Sequence, residues 1–224
     1  MSFAALRRAL MERLARGESR SFARAELRGL PMDEASRMAR AREMGFDTEA
    51  PLYHGTASDL ESLRPGRRGG PVYLTDDPSV ADIYANAAQS RWPGMNNANP
   101  NVLPVMIRRQ NPLVISDRGP NGDHGWLSDN LAQALELPAN TPRVRLNKEA
   151  LARGYDSIEV RDMLDLGGEQ TQILMLDPAN IRSRFAAFDP SRSNRRDILA
   201  GLAVAAPVGG LTLREALQDR IGQT

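Results

Sequence analysis

Between Pro51 and Leu176 the chain carries six short runs of β-type residues: PLYHG, GPVYLT, NVLPVMIR, NPLVI, YDSIEV and QILML. Gly, Pro, Asn or Asp recur at their ends, residues that close strands and make turns. Three helix-compatible stretches lie among them, PSVADIYANAAQ, WLSDNLAQALEL and NKEALARG. Strand and helix do not alternate regularly. That argues against a doubly wound parallel sheet and predicts an α+β domain. At 224 residues and 41% apolar, the chain can bury one ordinary core with appendages.

The flanks differ in texture. Phe3, Leu6, Leu10 and Leu14 recur at helical spacing, which predicts an amphipathic helix over about the first sixteen residues. A second helix is predicted over MDEASRMARAREMG, with Asp33 and Glu34 favourable at its start and Gly45 as its C-cap. Residues 1–45 hold ten arginines against six acids. A solvated face explains that excess, and contact with nucleic acid is the competing reading. The segment RWPGMNNANPN, crowded with Asn, Pro and Gly, reads as a mobile loop insertion. After Asp189-Pro190 the chain turns polar, then gives about sixteen mostly apolar residues in ILAGLAVAAPVGGLTL. That run is shorter than the roughly 20 a membrane span needs and is broken by Pro207, Gly209 and Gly210. It reads as a segment packed on the domain or on a partner. The organisation expected is a helical segment over 1–45, a main domain over 46–190, and a linker with an apolar tail over 191–224.

Composition narrows the chemistry. With no cysteine, a disulfide, a thiolate metal site and a Cys nucleophile are excluded. The net charge of +1 selects no acidic partner. The N-terminus has no apolar core of signal-peptide length, and Glu12 and Glu18 argue against a transit peptide, so a cytoplasmic protein is expected. The two histidines are His54 and His124. No metal is expected: no second His, Cys or carboxylate pattern surrounds His124 at metal spacing, and GDHGW reads as a loop.

Three stretches carry the candidate site. LYHGT places His54 behind an aromatic residue and before Gly55. GPVYLTDDPSVADIYA places Tyr73 on a strand and Tyr84 eleven residues on, near the end of a helix's third turn. Two such tyrosines are commonly core aromatics; alternatively they form two walls of a slot for a flat ring. In TQILMLDPANIRS the apolar run from Ile173 to Leu176 leaves Gln172 at the mouth of a buried strand, where side chains can meet a ligand on a fixed backbone.

Together, His54-Gly55-Thr56, the tyrosine pair and a polar residue opening a strand that ends in Asp177 resemble an ADP-ribosyltransferase domain of the histidine–tyrosine–glutamate type. This is the group of poly(ADP-ribose) polymerases and diphtheria toxin. The likeness extends to the ADP-ribosyltransferase-like domains of phage and prophage polyvalent proteins, where a helix like SRMARAREMGFD runs into YHGT and DPANIRS is followed by AFDP. It covers about Asp33 to Pro190. The resemblance implies a split, two-sheet β core with flanking helices, in a bacterial or phage-infected cell, with an effector-like role and secretion left open. It implies NAD as substrate. His54 would bond the adenosine ribose, Gly55 would offer main-chain groups to the nicotinamide amide, and Thr56 would stand beside it. Tyr73 and Tyr84 would sandwich the nicotinamide ring.

Two departures stand out. The family often has a serine eight residues after the first tyrosine; here that position is Ala81. The signature glutamate falls on Gln172, which keeps hydrogen bonding but loses the charge that favours an oxocarbenium-like transition state. Glu169 is a partial substitute by sequence proximity. The resemblance implies mono-ADP-ribosyl transfer to an acceptor that is protein, nucleic acid or small molecule, rather than polymer synthesis. The alternatives are a degenerate module that binds NAD or a partner, and an RNA 2′-phosphotransferase, against which Tyr84 counts.

Overall fold

The computed structural model describes Glu12 and residues 29–57, 63, 70–91, 100–165, 168–194 and 196, with the main chain alone at 88–91. The expected N-terminal amphipathic helix, the loop after Arg91 and the apolar run after Ile198 lie outside the described residues, apart from Glu12 and the loop's two ends.

The elements run α1 (Glu34–Glu43), β1 (Leu52–Thr56), β2 (Val72–Thr75), α2 (Pro78–Arg91), β3 (Asn101–Ile107) and β4 (Pro112–Ser116). Then come α3 (Leu127–Ala134), α4 (Arg143–Ala152), β5 (Ser157–Asp165), β6 (Gly168–Met175) and β7 (Ile181–Ser183). The class is mixed, with four helices among the described residues and seven strands, consistent with α+β. All six expected strands form, β5 and β6 running longer than their apolar cores. Helix α1 begins where Asp33 accepts a hydrogen bond from the Ser36 amide at 2.9 Å. It ends before Gly45, whose φ of 80° is the left-handed conformation that closes a helix. Its buried face, Met38 and Ala41, packs with Phe46, Met106 and Phe188. Arg37 and Arg40 donate to the carbonyls of Arg184 and Ala187, tying the helix to the end of the domain.

The strand order is β4-β5-β6-β2-β1-β3-β7. Among the described strands only β4 and β5 pair in parallel, joined through α3 and α4; every other pair of neighbours is antiparallel. The expected two-sheet core is corrected here: the seven strands form one sheet. Its two halves, β4-β5-β6-β2 and β1-β3-β7, are held together by the single registered pair Tyr53–Thr75, because beyond that pair β1 and β2 diverge.

One face of the first half carries Leu113, Ile115, Ile158, Val160 and Leu174 under α3 and α4. Leu131, Leu135 and Leu146 are fully buried there, each stabilising by about 1.5–3 kcal/mol relative to exposure. The opposite face buries Val72, Leu74, Val105, Ile107, Ile173 and Met175. The helix-covered face is apolar as far as Leu174 and then turns polar. Gln172 on β6 and its partner Thr75 on β2 follow, and Tyr73, opposite Leu174 on the same face, is 44% exposed.

Candidate functional site

The divergence of β1 and β2 builds the site. In antiparallel register the pairs after Tyr53–Thr75 would be His54–Leu74 and Gly55–Tyr73, but neither forms. The main chain of Gly55 and the ring of Tyr73 therefore flank a wedge. His54 bridges it: Nδ1 lies 3.0 Å from the Tyr73 carbonyl. A carbonyl can only accept, so Nδ1 carries the proton. Burial pushes the imidazole below its ordinary pKa, against the opposing effect of that hydrogen bond. The neutral ring then presents Nε2 as an acceptor suited to a hydroxyl.

Gly55 has a packing reason to be glycine. A Cβ there would stand 2.0 Å from the Ala81 carbonyl oxygen and 3.0 Å from the Ala85 nitrogen. Helix α2 thus lies directly on β1, and Ala81, 1% exposed, belongs to that contact. Thr56 is buried at the end of β1.

The same helix presents Tyr84, 39% exposed, towards Gln172, which does not open its strand as expected but stands mid-strand, because β6 already starts at Gly168. The Tyr84 hydroxyl donates to Oδ2 of Asp165. Gln172, 3% exposed, donates from Nε2 to the same oxygen at 2.6 Å. Burial, then the Asp165 hydrogen bond and charge, push the Tyr84 phenol up to about 12. A third polar pair lies beside these: Thr75 Oγ1 donates to Gln170 Oε1 at 2.9 Å and accepts from the Asp77 amide. That bond secures the turn from β2 into α2.

The structure thus gathers Tyr84 and Gln172 into one polar cluster beside Tyr73, with Thr75 next along the strands. His54 joins them through the Tyr73 main chain; along β1 it alternates with Tyr53 and Gly55. Asp165 was not anticipated. It sits at the end of β5, beyond a register shift between Val160 and Met163 and beyond Asp162, whose φ is 54°. Bulges bend strands and re-aim side chains. The available signal was a carboxylate just ahead of the sequence Leu166-Gly167-Gly168. Glu169, the sequence substitute, instead pairs with Arg118 at 2.6 Å, each side chain 42% exposed.

Elsewhere, a cleft of about 320 Å³ is lined by Arg42, Gly45, Phe46, Asp47, Ile107 and Arg109, on the α1 side of the domain. His124 Nδ1 bonds the Asp162 carbonyl at 2.9 Å. Among the described residues no group of three His, Cys, Asp or Glu could hold a metal ion. Nor is any described helix long and apolar enough to cross a membrane.

No protein-family description and no curated protein matches the chain. Among solved structures, an anti-CRISPR protein is 17% identical, with a TM-score of 0.31, across 58% of this chain and 90% of that one. A chain of the M. tuberculosis MbcT–MbcA toxin–antitoxin complex is 15% identical, with a TM-score of 0.35, across 65% of this chain and 83% of that one. At these TM-scores neither defines the fold of this chain.

Proposed function

We propose that the wedge between β1 and β2 binds NAD and that the protein transfers its ADP-ribosyl group to a single acceptor, releasing nicotinamide. The observation that carries this reading is the failure of the ladder after Tyr53–Thr75. It leaves half-buried Gly55 without a partner on β2, beside the accessible ring of Tyr73, the combination a flat amide-bearing heterocycle requires. The amide would bond the Gly55 main chain, and the ring would stack on Tyr73 with Tyr84 as the second wall. Nε2 of His54 would accept from a ribose hydroxyl. Gln172 would meet the nicotinamide ribose from the middle of β6.

The test is incubation of the purified chain with NAD, followed by mass spectrometry for free nicotinamide and for ADP-ribose added to the protein or to offered protein and nucleic acid. Nicotinamide release that Tyr73→Ala abolishes supports transfer. Saturable NAD binding with no release returns the site to a binding module. Absence of both removes NAD from the account.

A further inference from the structure

Two donors converge on one carboxylate oxygen beside the middle of β6. The Gln172 amide reaches Asp165 Oδ2 through Nε2 at 2.6 Å, and the Tyr84 hydroxyl reaches the same atom. A carboxylate only accepts, so it fixes which way the amide points. With Nε2 committed to Asp165, Oε1 is the amide's acceptor for any hydroxyl brought to it. An unaided glutamine has no such preference.

We propose that Asp165 is the working carboxylate of this site: a positioning residue that acts through Gln172, orienting Oε1 towards the ribose hydroxyl and lending the pair a negative charge. This rests on the transferase reading above. In that reaction the bond between C1′ of the ribose and the pyridinium nitrogen breaks. Its electron pair passes to the nitrogen, and nicotinamide leaves neutral. C1′ gains oxocarbenium character until the acceptor's nucleophile bonds to it and gives its proton to solvent. A negative charge nearby favours that transition state more than the ground state. Gln172 alone cannot supply it, and Glu169 is already compensated by Arg118. The carboxylate has moved from β6 to the facing hairpin arm, with the amide as its relay.

The decisive experiment exchanges the two groups. Nicotinamide release is measured for wild type, Asp165→Asn, Gln172→Glu and the double variant Asp165→Asn/Gln172→Glu, with thermal melts to establish folding. Asp165→Asn should lower kcat by about 10²–10³ with little change in KM, because the interaction acts in the transition state. Gln172→Glu alone puts two carboxylates within hydrogen-bond distance, so they share a proton and turnover gains a pH-dependent limb. The exchanged pair restores one amide bonded to one carboxylate, and turnover should recover most of what Asp165→Asn lost. Recovery of this kind marks coupling between the two positions; a merely structural role for Asp165 would show instead as a lowered melting temperature. A folded Asp165→Asn protein with wild-type turnover overturns the proposal, as does an exchanged pair no better than Asp165→Asn. Wild-type protein that releases no nicotinamide overturns the transferase reading itself, and the role of Asp165 with it.

Discussion

The hairpin of β5 and β6 and the junction of β1 and β2 are both antiparallel, yet they differ in kind. The first keeps seven registered pairs, interrupted by one shift. The second keeps one. Where β5 and β6 pair continuously, Ile158, Val160 and Leu174 lie beneath two helices and are fully buried. Where β1 and β2 part, beyond the pair Tyr53–Thr75, the chain places His54, Gly55 and Tyr73, and the end of β5 and the middle of β6 add Asp165 and Gln172. An unpaired main chain must find other partners; here His54 takes one carbonyl itself. The paired region supplies stability and the parted region supplies a place for a ligand.

The largest effect should come from cutting into the paired region. Leu174→Ala removes a fully buried side chain shared between β6 and the α3–α4 layer. It should cost about 2–5 kcal/mol in urea unfolding. A loss under about 1 kcal/mol would contradict the packing described. Next is Gly55→Ala, on the parted side but under α2. Overpacking costs about 1–3 kcal/mol, and because the obstacle is the Ala81 carbonyl, the upper end is expected by the same measurement. If Gly55→Ala is neutral, α2 does not lie on β1 as closely as the structure has it.

Two smaller effects concern protons in the wedge. Tyrosinate absorbance should place the Tyr84 phenol near 12 in wild type. In Asp165→Asn the phenol should ionise at lower pH, since part of its upward shift comes from that carboxylate. A folded-state value above the unfolded one means stability is complete below about pH 10 and falls as pH rises towards 12. For His54 the sign is opposite. Its folded-state value is lowered, so its contribution is present above about pH 6.5 and is lost as pH falls. The urea midpoint of His54→Gln should therefore vary less than wild type between about pH 8 and about pH 5. Equal acid sensitivity in the two proteins would mean that His54 is not shielded from water.

Much of this contrast was legible in the sequence. The apolar runs placed six strands, and Asp33 and Gly45 marked the ends of α1. The strand β7 hid inside DPANIRS because three residues are too few to show a period. Tyr73, Tyr84 and Gln172 stood out through the family resemblance rather than by spacing alone, and the structure sets Tyr84 and Gln172 on one oxygen atom. Asp165 stayed hidden because the extension of β5, RDMLD, is polar and lies past a register shift. No alternation carries across such a break. Glu169 looked the better substitute because it is nearer to Gln172 in sequence, whereas Arg118, 51 residues away, claims it. The single-pair junction of β1 and β2 also left no sequence mark, since a strand's composition does not report where its neighbour departs.

The most direct test of the wedge as an NAD site is a calorimetric titration of NAD into wild type, Tyr73→Ala and His54→Ala, each first shown to melt as wild type does. Saturable binding is expected for wild type, weakened several-fold by Tyr73→Ala as a stacking face worth about 1 kcal/mol is lost. His54→Ala should weaken it comparably through one lost hydrogen bond of similar worth. No heat from wild type at millimolar NAD, or wild-type affinity in both variants, would contradict the account.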